Sequence, residues 1–488
     1  VFAIVLAVNL AMTPAGAGIG DEAEAQTVPY ILGIAHPTGF PLYVLFGWLV
    51  SHALPFSTVA WRLNAIMAFA TAFAASGVVL IAVEIGATLI ASSLGALIFA
   101  FGAWVWYGAL HANAQTPAAT LEICALYASL RFARAGETRF LLLACACAGL
   151  GIATHPVALF VLPAIVAALA WQWRTIAPLR IIACIALVLV PLVAYAYMPL
   201  RAAWLAAHGG DPTAGAPVFG GGSIGWNMRA GNSVAGFLDE VLGRREGATV
   251  AVARGFALGT LGDIFPTWLG FAAHSFATVT LWTSAAGLVL LATTRVRAFS
   301  VLAAGTLGGI VFAYSYRTDV HVDRYAVVSF AIAATLAALT SRIAIPRVPA
   351  RITETAVALL LAGLLIRALS INTLPAWYSS RASSANIVAG IARATPDGAI
   401  VIAPWNEAGA LAYGAYAEHA LGTRTIVAAW PYEFMGSYND WTAMRRVFIL
   451  NAGTTLDVPP QMDARPVGRP FPHFSLYEVE SPRSVLRK

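Results

Sequence analysis

Apolar runs of roughly 17 to 25 residues recur through the first three quarters of this chain, each long enough to cross a hydrocarbon core of about 30 Å. Candidate spans lie at about 1–18, 59–83, 87–108, 117–133, 140–155, 157–173, 180–199, 273–294, 298–315, 325–341 and 352–373, about eleven in all. Composition agrees. Of 488 residues, 59% are hydrophobic and 11% charged, and the mean hydropathy is +0.75, where a soluble domain carries about 25% charged residues. The chain reads as an α-helical polytopic membrane protein, with the lipid bilayer as its first partner.

The formal charge of +6 rests on arginine, since Lys488 is the only lysine. No basic cluster stands outside the span pattern, so nucleic acid is not an expected partner. Cys124, Cys145, Cys147 and Cys184 all fall in apolar runs and read as small buried hydrophobes, neither a disulfide framework nor a metal site. Residues 1–18 end in a cleavage-like AGAG and can be read as a signal peptide, but the arginines favour a retained first span. With an odd number of spans and a cytoplasmic N-terminus, Arg131, Arg134, Arg139, Arg174, Arg180, Arg295, Arg297, Arg342, Arg347 and Arg351 all fall on the cytoplasmic side.

The unusual polar residues then collect on the external side, here a periplasm-like face of a bacterial-type cell membrane. These are Asp21, Glu22, Glu24 and His36, then His111, Asn113 and His155, then Arg201, His208 and Asp211, and finally Asp319, His321, Asp323 and Arg324. Glu122 falls in the external half of the fourth span. Two external segments are long. Residues 19–58 contain a short helix at Ala23–Ile34 and an amphipathic one at Pro41–His52, suited to the interface. Residues 200–272 open with HGGDPTAGAPVFGGG, whose glycines and prolines argue against regular structure. A helix follows at Val234–Arg244. Phe256–Ala273 is apolar but interrupted by Asp263 and Pro266; it reads as interfacial or re-entrant, with a twelfth span as the alternative.

From about residue 375 the pattern changes. DGAIVIAPW reads as a buried strand, EAGALAYGAYAEHAL as a helix, TRTIVAAW as a second strand, and RVFIL and FSLYEVE as further short strands. The division expected is a membrane domain over 1–374 and a small external α/β domain over 375–488.

A carboxylate at a membrane boundary is a functional hypothesis by default. Asp21 and Glu24 are three apart and share a face if their segment is helical. The same acids suit a solvated helix start. Glu122 has the same alternative, an acid in the first turns of a span. His36-Pro37 reads equally as a turn and His155-Pro156 as a hairpin cap. YRTDVHVDRY at Tyr316–Tyr325 is denser in charge than a connecting loop needs, which favours function there. Asn406 and Glu407 fall at a strand-to-helix turn, where ligands gather in open α/β sheets, although a plain helix start explains them as well.

The order of these features resembles the membrane protein O-mannosyltransferase-like family of the GT-C glycosyltransferase superfamily. The matching residues are Gly20-Asp21-Glu22-Ala23-Glu24, GIAHPTGFPLY at 33–43, and Ala60-Trp61-Arg62-Leu63-Asn64 entering the second span. Further on come LEICAL at 121–126, THPVALFVLP at 154–163, YMPLRA at 197–202 with GDPTA at 210–214, and DVHVDRY at 319–325. HPTGFPLY is the most specific of these. The sequence departs from the family pattern at Thr154 (asparagine there) and Cys124 (tyrosine there), and in the shorter end of DVHVDRY. These departures bear on acceptor identity and on activity.

The resemblance implies a GT-C-like fold and transfer of a hexose, mannose foremost, from a polyprenyl-phosphate carrier to an external acceptor such as a protein Ser or Thr hydroxyl. It implies Asp21 as general base, with Glu24 orienting the base or the acceptor. Arg201 and Arg324 are then candidates for the carrier phosphate, with His36, Arg62 and His155 in support, and Glu122, Asp319 and Asp323 for sugar hydroxyls. No cofactor is required. A divalent metal on Asp21, Glu24 and Asp323 is conceivable but not implied. A flippase of lipid-linked sugars and a silent scaffold are the competing classes; no internal repeat supports the first.

Overall fold

The structure, a computed structural model, describes residues 1–208, 218–220, 226, 233–244, 253, 261–316, 322–371, 381–429, 438–452 and 463–480. Contacts divide the chain into two compact units. The first gathers Val1–Thr13, Ala65–Tyr195 and Leu242–Thr373, and the second Pro14–Asn64, Ala196–Val241 and Leu374–Lys488. The division expected near residue 375 falls among residues 372–380, outside the described residues.

The first unit is helical, and every expected span that falls in it contains helix. Among the described residues, four helices are long and apolar enough to cross a membrane: Val59–Glu84, Pro178–His208, Val296–Ser315 and Ala350–Ser370. The expected span at 87–108 is a bent pair, Leu89–Ala100 and Ala103–Leu110, turned by 66° where Phe101 and Gly102 leave helical geometry. Shorter apolar helices include Thr138–Thr154, Pro156–Gln172, Thr278–Thr294 and Val327–Arg342. Within 1–18 the helix runs only Phe2–Met12, about 17 Å at 1.5 Å per residue; it ends at Thr13, which is extended before Pro14 as proline requires. Phe256–Ala273 holds a helix, Leu261–Phe276, with Pro266 inside it. Apolar side chains remain on the outside, among them Leu179, Ile182, Leu189 and Leu359, as expected where the solvent is lipid. Together with the apolar helices, this makes the chain a multi-pass integral membrane protein.

Small residues let these helices approach. A Cβ built on Gly287 would collide with the Leu336 carbonyl, so Thr278–Thr294 and the helix Val327–Leu339 touch backbone to backbone. Ser284 reinforces the contact by donating to the Ala333 carbonyl at 2.7 Å. Van der Waals packing and such interhelical hydrogen bonds replace the hydrophobic drive that lipid cannot supply.

The second unit is mixed. The first-loop helices run Gly20–Ile31 and Pro41–Ala53, within three residues of expectation. The sheet has six strands, β1 Val218–Gly220, β2 Ile400–Ala403, β3 Thr425–Ala428, β4 Val447–Ala452, β5 Ala464–Phe471 and β6 Phe474–Val479, in the order β1-β3-β2-β4-β6-β5. β2 lies parallel to both β3 and β4. Its four residues are all buried, as a central parallel strand covered on both faces must be. Ile400, Ile402, Val427, Val447, Ile449 and Trp441 form the core. Helix Trp405–Tyr416 links β2 to β3, and helix Arg381–Ala394 precedes the sheet.

One strand, β1, overturns a sequence expectation, and another, β5, forms in spite of its prolines. β1 lies inside the Gly/Pro-rich stretch expected to be irregular, where Val218 and Phe219 pair antiparallel with Val427 and Ile426. A three-residue edge strand needs only a β-former pair. β5 contains Pro466 and Pro470, which argue against a strand, but it lies at the edge, bulged around Gly468, where missing donors face no partner.

Across this edge Glu478 accepts from Arg446 Nε at 2.6 Å and from Arg465 Nη2 at 2.6 Å. The Arg446 hydrogen bond, with Arg465 second, holds its carboxyl below the usual carboxylate range. A depressed acid stabilises the fold above its unfolded pKa, and the gain is lost as pH falls through the lower folded value. The arginines are half-exposed, so the effect is small, below about 1 kcal/mol. Acid unfolding of the sheet, followed by circular dichroism from pH 6 downward, is expected to lose part of its dependence below about pH 4 in Glu478→Gln. Identical profiles would exclude this contribution.

Candidate active site

Asp21 and Glu24 lie in the first turns of helix Gly20–Ile31. The chain enters through Gly20 at φ +52°, a conformation costly for any residue with a Cβ. Acids at this end suit the helix dipole. Glu24 is 1% exposed, and its two oxygens divide between two groups of one residue. Oε1 accepts the His36 backbone N–H at 2.8 Å, and Oε2 contacts His36 Nδ1. The His-Pro-Thr-Gly turn closes with Gly39 N–H donating to the His36 carbonyl at 2.8 Å. Gly39, at φ +82°, a conformation that L side chains rarely adopt, packs against the end of the Met198 side chain. Glu24 therefore locks the turn onto the helix, as a buried carboxylate with charge-assisted partners can.

Asp21 Oδ1 accepts the indole N–H of Trp405 at 2.8 Å. Trp405 is the first residue of helix Trp405–Tyr416, just past the carboxyl end of β2. The two helices cross tightly. A Cβ on Gly409 would lie 2.8 Å from the Gly20 carbonyl oxygen, and one on Gly20 would lie 2.5 Å from Asn406 Oδ1. His36 and Trp226 present rings edge-on to Trp405, with centroids at 6.2 and 6.1 Å. Burial pushes the neighbouring Glu407 carboxyl above its ordinary range, partly opposed by its own backbone N–H. Sequence reasoning placed Asn406 and Glu407 at a ligand-prone turn but missed Trp405. Its only signal was position, directly after β2.

Two arginines expected at the substrate serve helix ends. Arg201 donates from Nε to the Leu32 carbonyl at 2.7 Å and from Nη2 to the Ile31 carbonyl at 3.2 Å, while its guanidinium packs on Trp204. It thereby closes the C-terminus of the Asp21 helix. Arg62 Nη1 donates to the carbonyls of Ser51 and Leu54, and Nε to Thr58, closing helix Pro41–Ala53. Arg424 repeats the device on helix Arg381–Ala394, donating to the Ala392 carbonyl at 2.9 Å and also to the Thr395 carbonyl. Orphan carbonyls at helix C-termini and the dipole both favour cations there. A polar chain completes the frame: Asn64 Nδ2 donates to the Pro14 carbonyl, and Gln26 bridges Asn64 and the Gly18 N–H.

The remaining candidates belong to the first unit. Glu122 is buried in helix Gln115–Ala135. His155 caps the short turn Pro156–Val161, with Nδ1 accepting the Val157 N–H at 3.1 Å. His155 and Arg324 meet at one ring: the imidazole centroid is 5.7 Å from that of Tyr325, and the Arg324 guanidinium is 5.4 Å from it. Asp319 lies outside the described residues, as does the side chain of Asp323. Among the described residues, no group of three or more His, Cys, Asp or Glu side chains is disposed to hold a metal ion.

Comparison with known proteins bears on this layout. Residues 21–176 match the family described as the Protein O-mannosyl-transferase TMEM260 N-terminal domain. The mouse Protein O-mannosyl-transferase TMEM260 is 33% identical over 113 residues, 23% of this chain and 16% of the mouse protein. The Dictyostelium discoideum protein of the same name is 40% identical over 47 residues, 9% of this chain and 6% of that protein. The matches thus span well under two thirds of these relatives. Among solved structures, ArnT from Cupriavidus metallidurans bound to undecaprenyl phosphate has a TM-score of 0.57 at 13% identity, covering 100% of this chain and 98% of that one. ArnT in the apo state has a TM-score of 0.55 at 14% identity, covering 98% and 97%. The fold is similar to that of ArnT, and the stretch holding Asp21, Glu24 and His36 lies within the residues similar to the Protein O-mannosyl-transferase TMEM260 N-terminal domain.

Proposed function

We propose that this chain is an integral-membrane glycosyltransferase that moves a hexose, mannose by its resemblance, from a polyprenyl-phosphate carrier to a hydroxyl of an external protein acceptor. The observation that carries this reading is the division of labour between two acids one helical turn apart. Glu24 is committed to His36, whereas Asp21 is partly exposed and accepts a hydrogen bond from a neutral donor, Trp405. A general base must combine basicity, reach and fixed direction.

In the reaction, the acceptor oxygen attacks the anomeric carbon as Asp21 takes its proton. The bond from that carbon to the phosphate oxygen breaks, and the polyprenyl phosphate leaves with the electron pair. The developing phosphate charge needs cationic donors. Arg324, with His155 in support, is the candidate, since the guanidinium groups of Arg62 and Arg201 hold helix-end carbonyls. ArnT bound to undecaprenyl phosphate supports a lipid-linked donor on this fold, and the TMEM260 relatives support mannose and a protein acceptor.

The test is transfer in detergent from synthetic polyprenyl-phosphate mannose to a Ser/Thr-rich peptide, with the product read by mass spectrometry. Glycosylated peptide is the expected result. Movement of the sugar-lipid across vesicles with no peptide product would replace this reading by the flippase.

A further inference from the structure

We propose that Trp405 is a positioning residue for Asp21, so that the C-terminal α/β segment is a working part of the candidate active site. This role rests on the reading of Asp21 as the base. The indole N–H is a donor only, so it competes for no proton that Asp21 would take. By engaging Oδ1 at 2.8 Å it sets the plane of the carboxylate.

The indole is itself held in place. The following helix begins at this residue, with Pro404 extended before it at φ −57° and ψ 157°. Trp226, fully buried, and His36 stand edge-on to it, with interplanar angles of 86° and 87°. Trp226 is fixed in turn, its carbonyl accepting the Ile34 N–H at 2.7 Å. The ring that aims Asp21 is thus braced by the same turn that Glu24 locks. A donor whose rotamer is already restricted spends little entropy in holding its partner. Among the described residues, the other titratable groups on the elements around Asp21 are Glu22, Glu24 and Tyr30 on its own helix, His36 in the turn, and Glu407, Tyr413 and Tyr416 on the facing helix.

Two measurements on the full-length protein test this role. The first reads the hydrogen bond without catalysis. Indole 15N–1H signals are recorded in nanodiscs, and the Trp405 signal is assigned by its loss in Trp405→Phe. In Asp21→Ala this signal is expected to move toward the position of an indole without a carboxylate partner, with a smaller move in Asp21→Asn. A Trp405 signal unchanged in both variants overturns the proposal.

The second measurement uses polyprenyl-phosphate mannose and a Ser/Thr-rich peptide. Trp405→Phe keeps the ring and loses the N–H. Its kcat is expected to fall about tenfold, the effect of one hydrogen bond to a charged group, with KM for donor and peptide unchanged. The acid limb of its pH–rate profile should move to higher pH, because the ionised carboxylate has lost a donor. Trp405→Phe with wild-type kcat and profile overturns the proposal. Absence of transfer by the wild-type protein counts against the glycosyltransferase reading alone, and the indole signal still decides the role of Trp405.

Discussion

Asp21→Asn is expected to lower sugar transfer by roughly 10²- to 10⁴-fold with the protein folded as before. The substitution is nearly isosteric. Its amide oxygen still accepts the Trp405 N–H, so the helix crossing is left in place and only basicity is removed. The comparison that sharpens this result is Glu24→Gln. Glu24 acts through His36, so its loss should loosen the turn and lower thermal stability as well as rate. A base, by contrast, should lower rate alone. Transfer from polyprenyl-phosphate mannose and the melting temperature, measured on the same preparations, separate the two. Asp21→Asn retaining wild-type transfer would remove Asp21 from the role of base.

Gly409→Val should be almost as damaging, for a different reason. A Cβ at this position already meets the Gly20 oxygen at 2.8 Å, the Gly20 nitrogen at 3.1 Å and the Ala23 Cβ at 3.3 Å. Backbone atoms cannot rotate away as a flexible side chain can, and two more methyl groups force the helices apart. Overpacking of this kind costs about 1–3 kcal/mol. Here it would also lengthen the Asp21–Trp405 hydrogen bond, so transfer should fall at least about tenfold. Gly409→Ala should lie between. The melting temperature and transfer rate of the three proteins check the series, and a Val variant equal to wild type in both would show that the crossing is not tight in solution.

Much of the fold was legible because membrane spans announce themselves by length and apolarity, and the buried strands β2 and β3 by unbroken apolar runs. Asp21, Glu24 and His36 were legible as a short polar constellation between greasy segments. What stayed hidden was decided by partners distant in sequence. Arg62 and Arg201 read as charges near a site, but the groups they satisfy are backbone carbonyls, which no side-chain pattern reveals. β1 was hidden by its glycines and prolines; only the open edge of β3 makes a strand of it. The bend at Phe101 and Gly102 lies inside a run whose composition is that of a single straight span. Trp405 sits 384 residues from the carboxylate it contacts, and nothing in its own neighbourhood names Asp21.

That separation has a consequence for how the protein comes into being. The helix bearing Asp21 leaves the ribosome 384 residues ahead of Trp405. At about 5–20 residues per second, the 384 intervening residues take roughly 20–80 s to make. For that whole interval the Asp21 carboxylate lacks the indole donor that it later accepts from. A nascent chain that has not yet reached Trp405 would therefore hold Asp21 without this hydrogen bond, and only synthesis of Trp405 would supply it.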